Sequence, residues 1–338
     1  MRSWLTLLTM HLTLAVAVCP AADAARFEFD ATHMGTTWRL VLYAADKTAA
    51  KKSAKAAFDR VAELEKVMSD YDPKSELMLL SKANDTKPGE AIPISDDLLD
   101  VLGKAAEVSE ATNGAFDITV GPLSQLWRTA RKTKRLPGNE VLKASLGLVG
   151  RELWSIDVKA KTATLKKAKM RLDLGGIGKG YAADAAMAVL KKQGIASALV
   201  AASGDITVSA APPDREYWTV DVPSPFKDRP VRRLGLVNAS VSTSGDLYQY
   251  AEIDGIRYSH VLDPKTGLGQ TGRRTATVVA DAGWKADAYT KAALLLPSKD
   301  ATKLIEARCL GLSSAAKAGE DGEIETAETE GFRKKILE

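Results

Sequence analysis

The sequence predicts an α+β fold, and three observations carry that expectation. Helix-period and strand-period segments are mixed without the regular strand–helix–strand rhythm of a doubly wound sheet. The 338 residues, 45% apolar and 27% charged, are enough to bury a sizeable core in one large or two modest domains. No repeat at a fixed period and no low-complexity tract points to a solenoid or a linker. A formal net charge of +4 is too small to argue for a nucleic-acid partner. The basic run at 130–135 has no interleaved aromatics and reads as a solvated loop.

The N-terminus reads as an address. Arg2 precedes an apolar run over 4–18, and Ala22-Asp23-Ala24 supplies small residues for cleavage before Ala25. Residues 1–24 are therefore expected to be a signal peptide and 25–338 the functional domain, exported to the periplasm or beyond. Cys19 would permit a lipid anchor, but Val18 before it is a poor match to the small residue such a site needs. Membrane attachment is expected only if Cys19 is lipidated. After cleavage Cys309 is the single cysteine left, which rules out an intrachain disulfide. With no His or acid beside it, Cys309 reads as structural.

Along the mature chain, residues 27–43 read as two strands interrupted at 33–37. Phe58, Val61, Leu64 and Met68 recur at helical spacing and predict a helix over 47–68. Ser95 caps a second helix, carried by Leu98, Leu99, Leu102 and Ala106 and closed by Gly114. Residues 114–123 read as a compact loop and strand, and 130–150 as a polar excursion. A hairpin is expected over 154–166, a helix over 181–193, and a buried strand at 198–202 running into Ser203-Gly204-Asp205. Strands are predicted at 218–222, 234–241 and 275–280, with 243–246 and 258–264 in or beside turns. Helices are expected over 286–296 and 299–308, and the acidic segment at 319–330 suggests a terminal hairpin.

The stretch with most chemical content is 172–184, LDLGGIGKGYAAD. Three glycines, a lysine and a fourth glycine lead into a helix, an arrangement that suits a phosphate because backbone N–H groups and the helix dipole face the ligand. It matches neither familiar phosphate loop, since Gly180 follows Lys179 and no G-x-G-x-x-G occurs. A plain strand-to-helix turn is an equal reading. Three further places set glycine beside a carboxylate or hydroxyl: Ser203-Gly204-Asp205, Thr243-Ser244-Gly245-Asp246, and 114–119. Each alone could be an Asx turn, but four together fit a polar ligand site. Asp287 is the natural oxygen donor to a hard cation such as Mg²⁺, or else a first-turn acid favoured by the helix dipole. His260 could act as a general base or a phosphate contact. No zinc pattern or nucleophile elbow is present.

Taken in order, these motifs resemble the FAD:protein FMN transferase (ApbE) family from about Phe29 to the C-terminus. They are Met34-Gly35-Thr36; Met68 to Tyr71 with Ser75-Glu76-Leu77; Gly114-Ala115-Phe116-Asp117 with Pro122-Leu123 and Trp127; the 172–184 stretch; Thr243 to Asp246; Ser259-His260 with Asp263 to Gly267; and Ala286-Asp287-Ala288. The resemblance implies a mixed sheet-and-helix fold with an FAD site between two lobes. The implied activity is transfer of the FMN half of FAD to a threonine hydroxyl of an acceptor protein, with Mg²⁺ as cofactor and AMP released. It places Met34, Tyr71, Ala115, Phe116, Asp117, Gly175, Lys179, Tyr181 and Leu262 on FAD. The Gly178 carbonyl, Asp287 and Thr290 fall to the metal, and His260, Asp246 and Thr243 to catalysis, with His260 near the reacting phosphates. One departure stands out. The family usually carries Thr four residues after its metal-binding Asp, where this chain has Lys291, with Thr290 one place earlier. Ser203-Gly204-Asp205 also replaces a more usual pair of glycines before the acid. Hydrolysis of FAD to FMN and AMP, or FAD binding with impaired turnover, are the alternatives this leaves.

Overall fold

The β1 (Ala25–His33) and β2 (Thr36–Ala44) strands form a hairpin whose turn, Met34-Gly35, takes positive φ at both positions, as a two-residue turn between twisted strands requires. The computed structural model describes residues 24–224, 226, 230–246, 250–317 and 322–337. The expected signal segment, but for its last residue, lies outside these, as does Cys19.

A helical stretch follows: α1 (Lys47–Met68), α2 (Glu76–Thr86), a two-residue β3 (Ile92–Pro93), α3 (Asp96–Ala111), α4 (Gly121–Thr133) and α5 (Asn139–Leu146). The chain then makes β4 (Trp154–Asp157), β5 (Thr162–Leu165), α6 (Gly178–Lys192), β6 (Ala198–Ala202) and β7 (Asp205–Val208). Next come β8 (Trp218–Val222), β9 (Arg232–Leu236), β10 (Ala239–Gly245), β11 (Tyr250–Ile253), β12 (Ile256–Leu262), β13 (Gly269–Thr271) and β14 (Arg273–Ala280). It closes with α7 (Gly283–Leu295), α8 (Ser298–Arg308), β15 (Gly311–Lys317), β16 (Ile324–Glu328) and α9 (Glu330–Arg333).

The main sheet has eight strands in the order β1-β2-β6-β7-β10-β14-β15-β16, every neighbouring pair antiparallel. Strand alternation divides its side chains between two cores. Trp38, Leu40, Leu42, Ala276 and Val278 face α1, α6 and α7, whereas Val41, Val241 and Val279 face the β8–β9 ribbon and Phe332. A smaller sheet, β11-β12-β13, is joined to α4 through Trp127, which packs on Tyr258 and donates from Nε1 to the Gly267 carbonyl at 2.7 Å. The α+β expectation holds, and so do α1, the 198–202 strand and the 154–166 hairpin.

Several elements differ from expectation. Gly121-Pro122 opens a 13-residue helix instead of ending a strand, because proline is tolerated in a first turn whose N–H groups lack partners anyway. The polar excursion contains α5. Residues 234–241 break into two strands, with Asn238 at φ 45 between them. Residues 243–245 continue β10 rather than turning. The helix expected from 286 begins three residues earlier, at Gly283. An unexpected helix, α2, starts where the Ser75 hydroxyl accepts from the Met78 N–H at 3.1 Å.

Candidate active site

The starts of α6 and α7 meet under a cavity, and the contact of Gly180 with Gly283 is too close for any side chain. A Cβ on Gly180 would lie 2.1 Å from the Gly283 oxygen, and one on Gly283 would lie 2.5 Å from the Gly180 oxygen. The helices also cap each other. Asp287 of α7 accepts from the Gly180 N–H at 3.0 Å, while Asp184 of α6 accepts from Gly283 and Trp284 at 2.7 and 3.1 Å. Each carboxylate thus satisfies first-turn donors of the other helix and sits at its positive end. Burial raises the Asp184 carboxyl from 3.8 to about 6 against those hydrogen bonds.

Above this junction lies a cavity of about 680 Å³, within the range of ligand pockets. Its walls come from the β1–β2 turn (Met34), the end of α1 and the turn after it (Glu65, Tyr71), the 115–117 loop, and α4 (Ser124, Arg128, Arg131). The 173–176 turn, the start of α6, β12 and Lys291 of α7 complete it. Met34, Tyr71, Ala115, Phe116, Asp117, Gly175, Lys179 and Leu262, all assigned to FAD by the resemblance, line this one cavity, as do Gly178 and His260.

The glycine turn is ordered from within. Asp173 accepts from the Gly175 N–H at 2.8 Å and from the Ser124 hydroxyl at 2.6 Å. The aspartate thus makes an Asx turn, and the same residues face the cavity. Asp117 accepts from the N–H and hydroxyl of Thr119 at 2.8 and 2.6 Å. Burial raises its carboxyl above the ordinary value.

Other expected residues stand elsewhere. Tyr181 turns away and donates to Asp100 at 3.0 Å, beside a second hollow lined by Lys104, Asp184 and Trp284. Thr243 shares a 2.9 Å hydrogen bond with Thr277. Alternation along β10 puts this pair on the sheet face opposite α6 and α7. Asp246 is 1% exposed and tied to Arg257, whose Nε lies at 2.5 Å and whose Nη2 reaches the Asp246 carbonyl at 2.6 Å. Thr290 is buried, sharing a 2.7 Å bond with Ser244 and donating to the Asp287 carbonyl at 2.7 Å.

Several wall residues are not among those expected from the sequence. Glu65 accepts from the Met34 N–H at 2.8 Å and so fixes the hairpin turn against α1. Arg128 pairs with Asp70 and lies 3.8 Å over the Tyr71 ring, a cation–π stack. Burial, with the charge of Asp173, raises the Asp70 carboxyl despite that arginine. Arg131 shares the α4 face. The signal was present: Leu123, Trp127 and Ala130 are buried at helical spacing, which sets Ser124, Arg128 and Arg131 on the adjoining stripe.

The floor is a set of paired charges. Lys291 donates to Asp287 Oδ1, and Lys179 lies 2.5 Å from Asp205 and 3.8 Å from Asp287 Oδ2. Asp205 also accepts from the Ser242 hydroxyl at 2.5 Å. Burial alone would raise the fully buried Asp287 carboxyl, but the charges of Lys179 and Lys291 hold it below the usual range. Burial works against the charge on Lys179, yet Asp205 and Asp287 lift its ammonium above the ordinary lysine value.

This donor set does not fit Mg²⁺. Both Asp287 oxygens are taken, the Thr290 hydroxyl is committed within the protein, and among the described residues no three His, Cys, Asp or Glu side chains cluster as a metal group. At an effective dielectric of ~20, a divalent ion about 4 Å from an ammonium is repelled by about 8 kcal/mol.

Comparison with known proteins agrees with this architecture. The sequence model of the ApbE family matches residues 34–313, and the chain belongs to that family. It is similar to the FAD:protein FMN transferase of Vibrio cholerae, 31% identical over 286 residues, which is 83% of each chain. It is also similar to one from Klebsiella pneumoniae, 28% identical over 312 residues, covering 90% of this chain and 88% of the relative. Among solved structures, the apo flavinyl transferase ApbE of Pseudomonas stutzeri superposes with a TM-score of 0.80 at 26% identity, covering 93% of this chain and 97% of its own.

Proposed function

We propose that this protein transfers the FMN half of FAD to a threonine hydroxyl of an acceptor protein and releases AMP. The observation that carries the proposal is the single cavity that gathers Met34, Tyr71, Phe116, Asp117, Gly175, Lys179 and Leu262 around a glycine-rich helix start. The relatives named as FAD:protein FMN transferases support it.

The reaction forms a bond from the threonine oxygen to the phosphorus of the FMN half and breaks that phosphorus's bond to the oxygen shared with the AMP phosphate. The hydroxyl proton must go to a base, and His260, on the cavity wall at β12, is the candidate. AMP leaves as an anion. Phosphoryl transfer depends on positioning and charge neutralisation more than on covalent help. Here the α6 N-terminus and Lys179 supply positive potential where that charge develops. Mg²⁺, the cofactor the resemblance implies, does not fit this floor, whose Asp287 and Thr290 oxygens are committed within the protein.

Export is part of the proposal and rests on the N-terminal apolar run with its small-residue cleavage site, so the acceptor is sought outside the cytoplasm. Among the described residues no helix is long and apolar enough to cross a membrane, and anchoring is reserved for a lipidated Cys19. The test is incubation with FAD and a threonine-bearing acceptor. Flavin fluorescence surviving denaturation on the acceptor, with one AMP per flavin, is expected. FMN and AMP without labelled acceptor would instead mark the hydrolase.

A further inference from the structure

We propose that the Lys291 ammonium is a built-in cation of the flavin site, so that FAD binds and reacts with no divalent metal on Asp287. The inference rests on the FAD reading above and goes beyond it.

Four groups make the argument. Asp205 and Asp287 carry two negative charges, Lys179 and Lys291 two positive ones, and they alternate in space. Asp205 meets Lys179 at 2.5 Å, Lys179 approaches Asp287 at 3.8 Å, and Asp287 receives Lys291. Asp287 is fully buried and the Lys291 side chain only 14% exposed, yet Lys291 reaches the cavity wall. Its stem runs beside the glycine turn, where a Cβ on Gly176 would lie 3.6 and 3.7 Å from Lys291 Cγ and Cε. An ammonium donates three hydrogen bonds. The Asp287 contact uses one, so Lys291 can hold its carboxylate while turning others to a phosphate oxygen in the cavity. A buried carboxylate needs a partner to stay charged. In this chain Lys291 and the Gly180 N–H provide it from within the protein, so no metal is needed there. The same ammonium then lies beside the glycine turn and Lys179, at the end of the cavity best suited to a pyrophosphate.

The test combines metal binding with flavin binding. Mn²⁺, a divalent probe read by electron paramagnetic resonance, is titrated into the wild-type protein and Lys291→Thr, each with and without FAD. FAD affinity is measured by fluorescence in EDTA and in Mg²⁺. For the wild type the proposal expects no stoichiometric Mn²⁺ site and an FAD affinity that changes less than twofold between EDTA and Mg²⁺. In Lys291→Thr it expects FAD affinity in EDTA to fall tenfold or more, with Mn²⁺ binding gained. A wild-type protein that holds one Mn²⁺, or that binds FAD tenfold more tightly in Mg²⁺ than in EDTA, overturns the proposal while leaving the flavin reading intact. A wild-type protein that binds FAD under neither condition overturns the flavin reading and the proposal with it. Should Lys291→Thr fail to fold, the two wild-type measurements decide alone.

Discussion

Gly180→Ala should be among the most damaging single-methyl changes the protein can suffer. The added Cβ would lie 2.1 Å from the Gly283 carbonyl oxygen, 2.4 Å from its carbon and 2.8 Å from Asp287 Cβ. The first two are backbone atoms and cannot swing aside, so α6 and α7 must part by about 1 Å, an overpacking that costs about 1–3 kcal/mol. Parting the helices also stretches the Gly180 N–H bond to the buried Asp287 carboxylate, a charged hydrogen bond worth about 1.5–3 kcal/mol. Alanine's better helix propensity returns up to about 1 kcal/mol. The net loss is about 3 kcal/mol, read as a lower urea midpoint with an unchanged m-value, and FAD affinity falls with it because Asp287 and Lys291 move together. Gly138→Ala is the control, since that glycine has open space around it and a φ of −63. If Gly180→Ala proves as stable as Gly138→Ala, the glycine-to-glycine helix contact does not carry the site and the reasoning fails.

Four further outcomes follow from the same geometry. Asp184 has a native carboxyl raised to about 6 from 3.8, so its stabilising contribution is complete below about pH 4 and is lost as pH rises through about 6. Urea titrations should show the unfolding free energy of wild type relative to Asp184→Asn falling by about 2 kcal/mol between pH 4 and 7, and a flat difference would count against the assignment. Burial pushes the Cys309 thiol up to about 12, so iodoacetamide at pH 8 should modify it at least a hundredfold more slowly in the native protein than in urea, as mass spectrometry would record. Arg128→Ala removes the partner of Asp70 and the cation over Tyr71, and fluorescence titration should find FAD bound about tenfold more weakly, about 1.4 kcal/mol. Trp127→Phe deletes the Nε1 bond to Gly267, and calorimetry should show a loss of about 1 kcal/mol.

Local signals made part of this legible in advance. The α1 helix followed from Phe58, Val61, Leu64 and Met68, because an amphipathic period is written in the residues themselves. Most of the cavity wall followed from ordered motifs. What could not be read was decided by distant partners. Whether Asp246 faces a ligand depends on Arg257, which answers it from the next hairpin. Thr243 was removed from the cavity by one step of strand alternation, once residues 243–245 proved to extend β10. Asp287 looked like a metal ligand or a dipole-favoured acid of its own helix, yet it caps the start of α6, more than a hundred residues earlier in the chain. The arginines of α4 were hidden because Gly121-Pro122 looks like a stop when it is a start.

The order of the main sheet bears on how the chain is made. In the register of β2 with β6, Trp38 lies opposite Ala202 and Leu42 opposite Ala198, so the inner edge of the first hairpin waits for residues made long after it. At ordinary synthesis rates that interval is on the order of ten seconds, during which the β2 edge is open to any other strand. Closing so distant a pairing is intrinsically slow. The β2 edge is therefore among the first surfaces of the domain to be synthesised and stays unpaired until β6 emerges, although α1 can seat the Met34 turn sooner through Glu65, and that edge is where a holding chaperone would have most to protect.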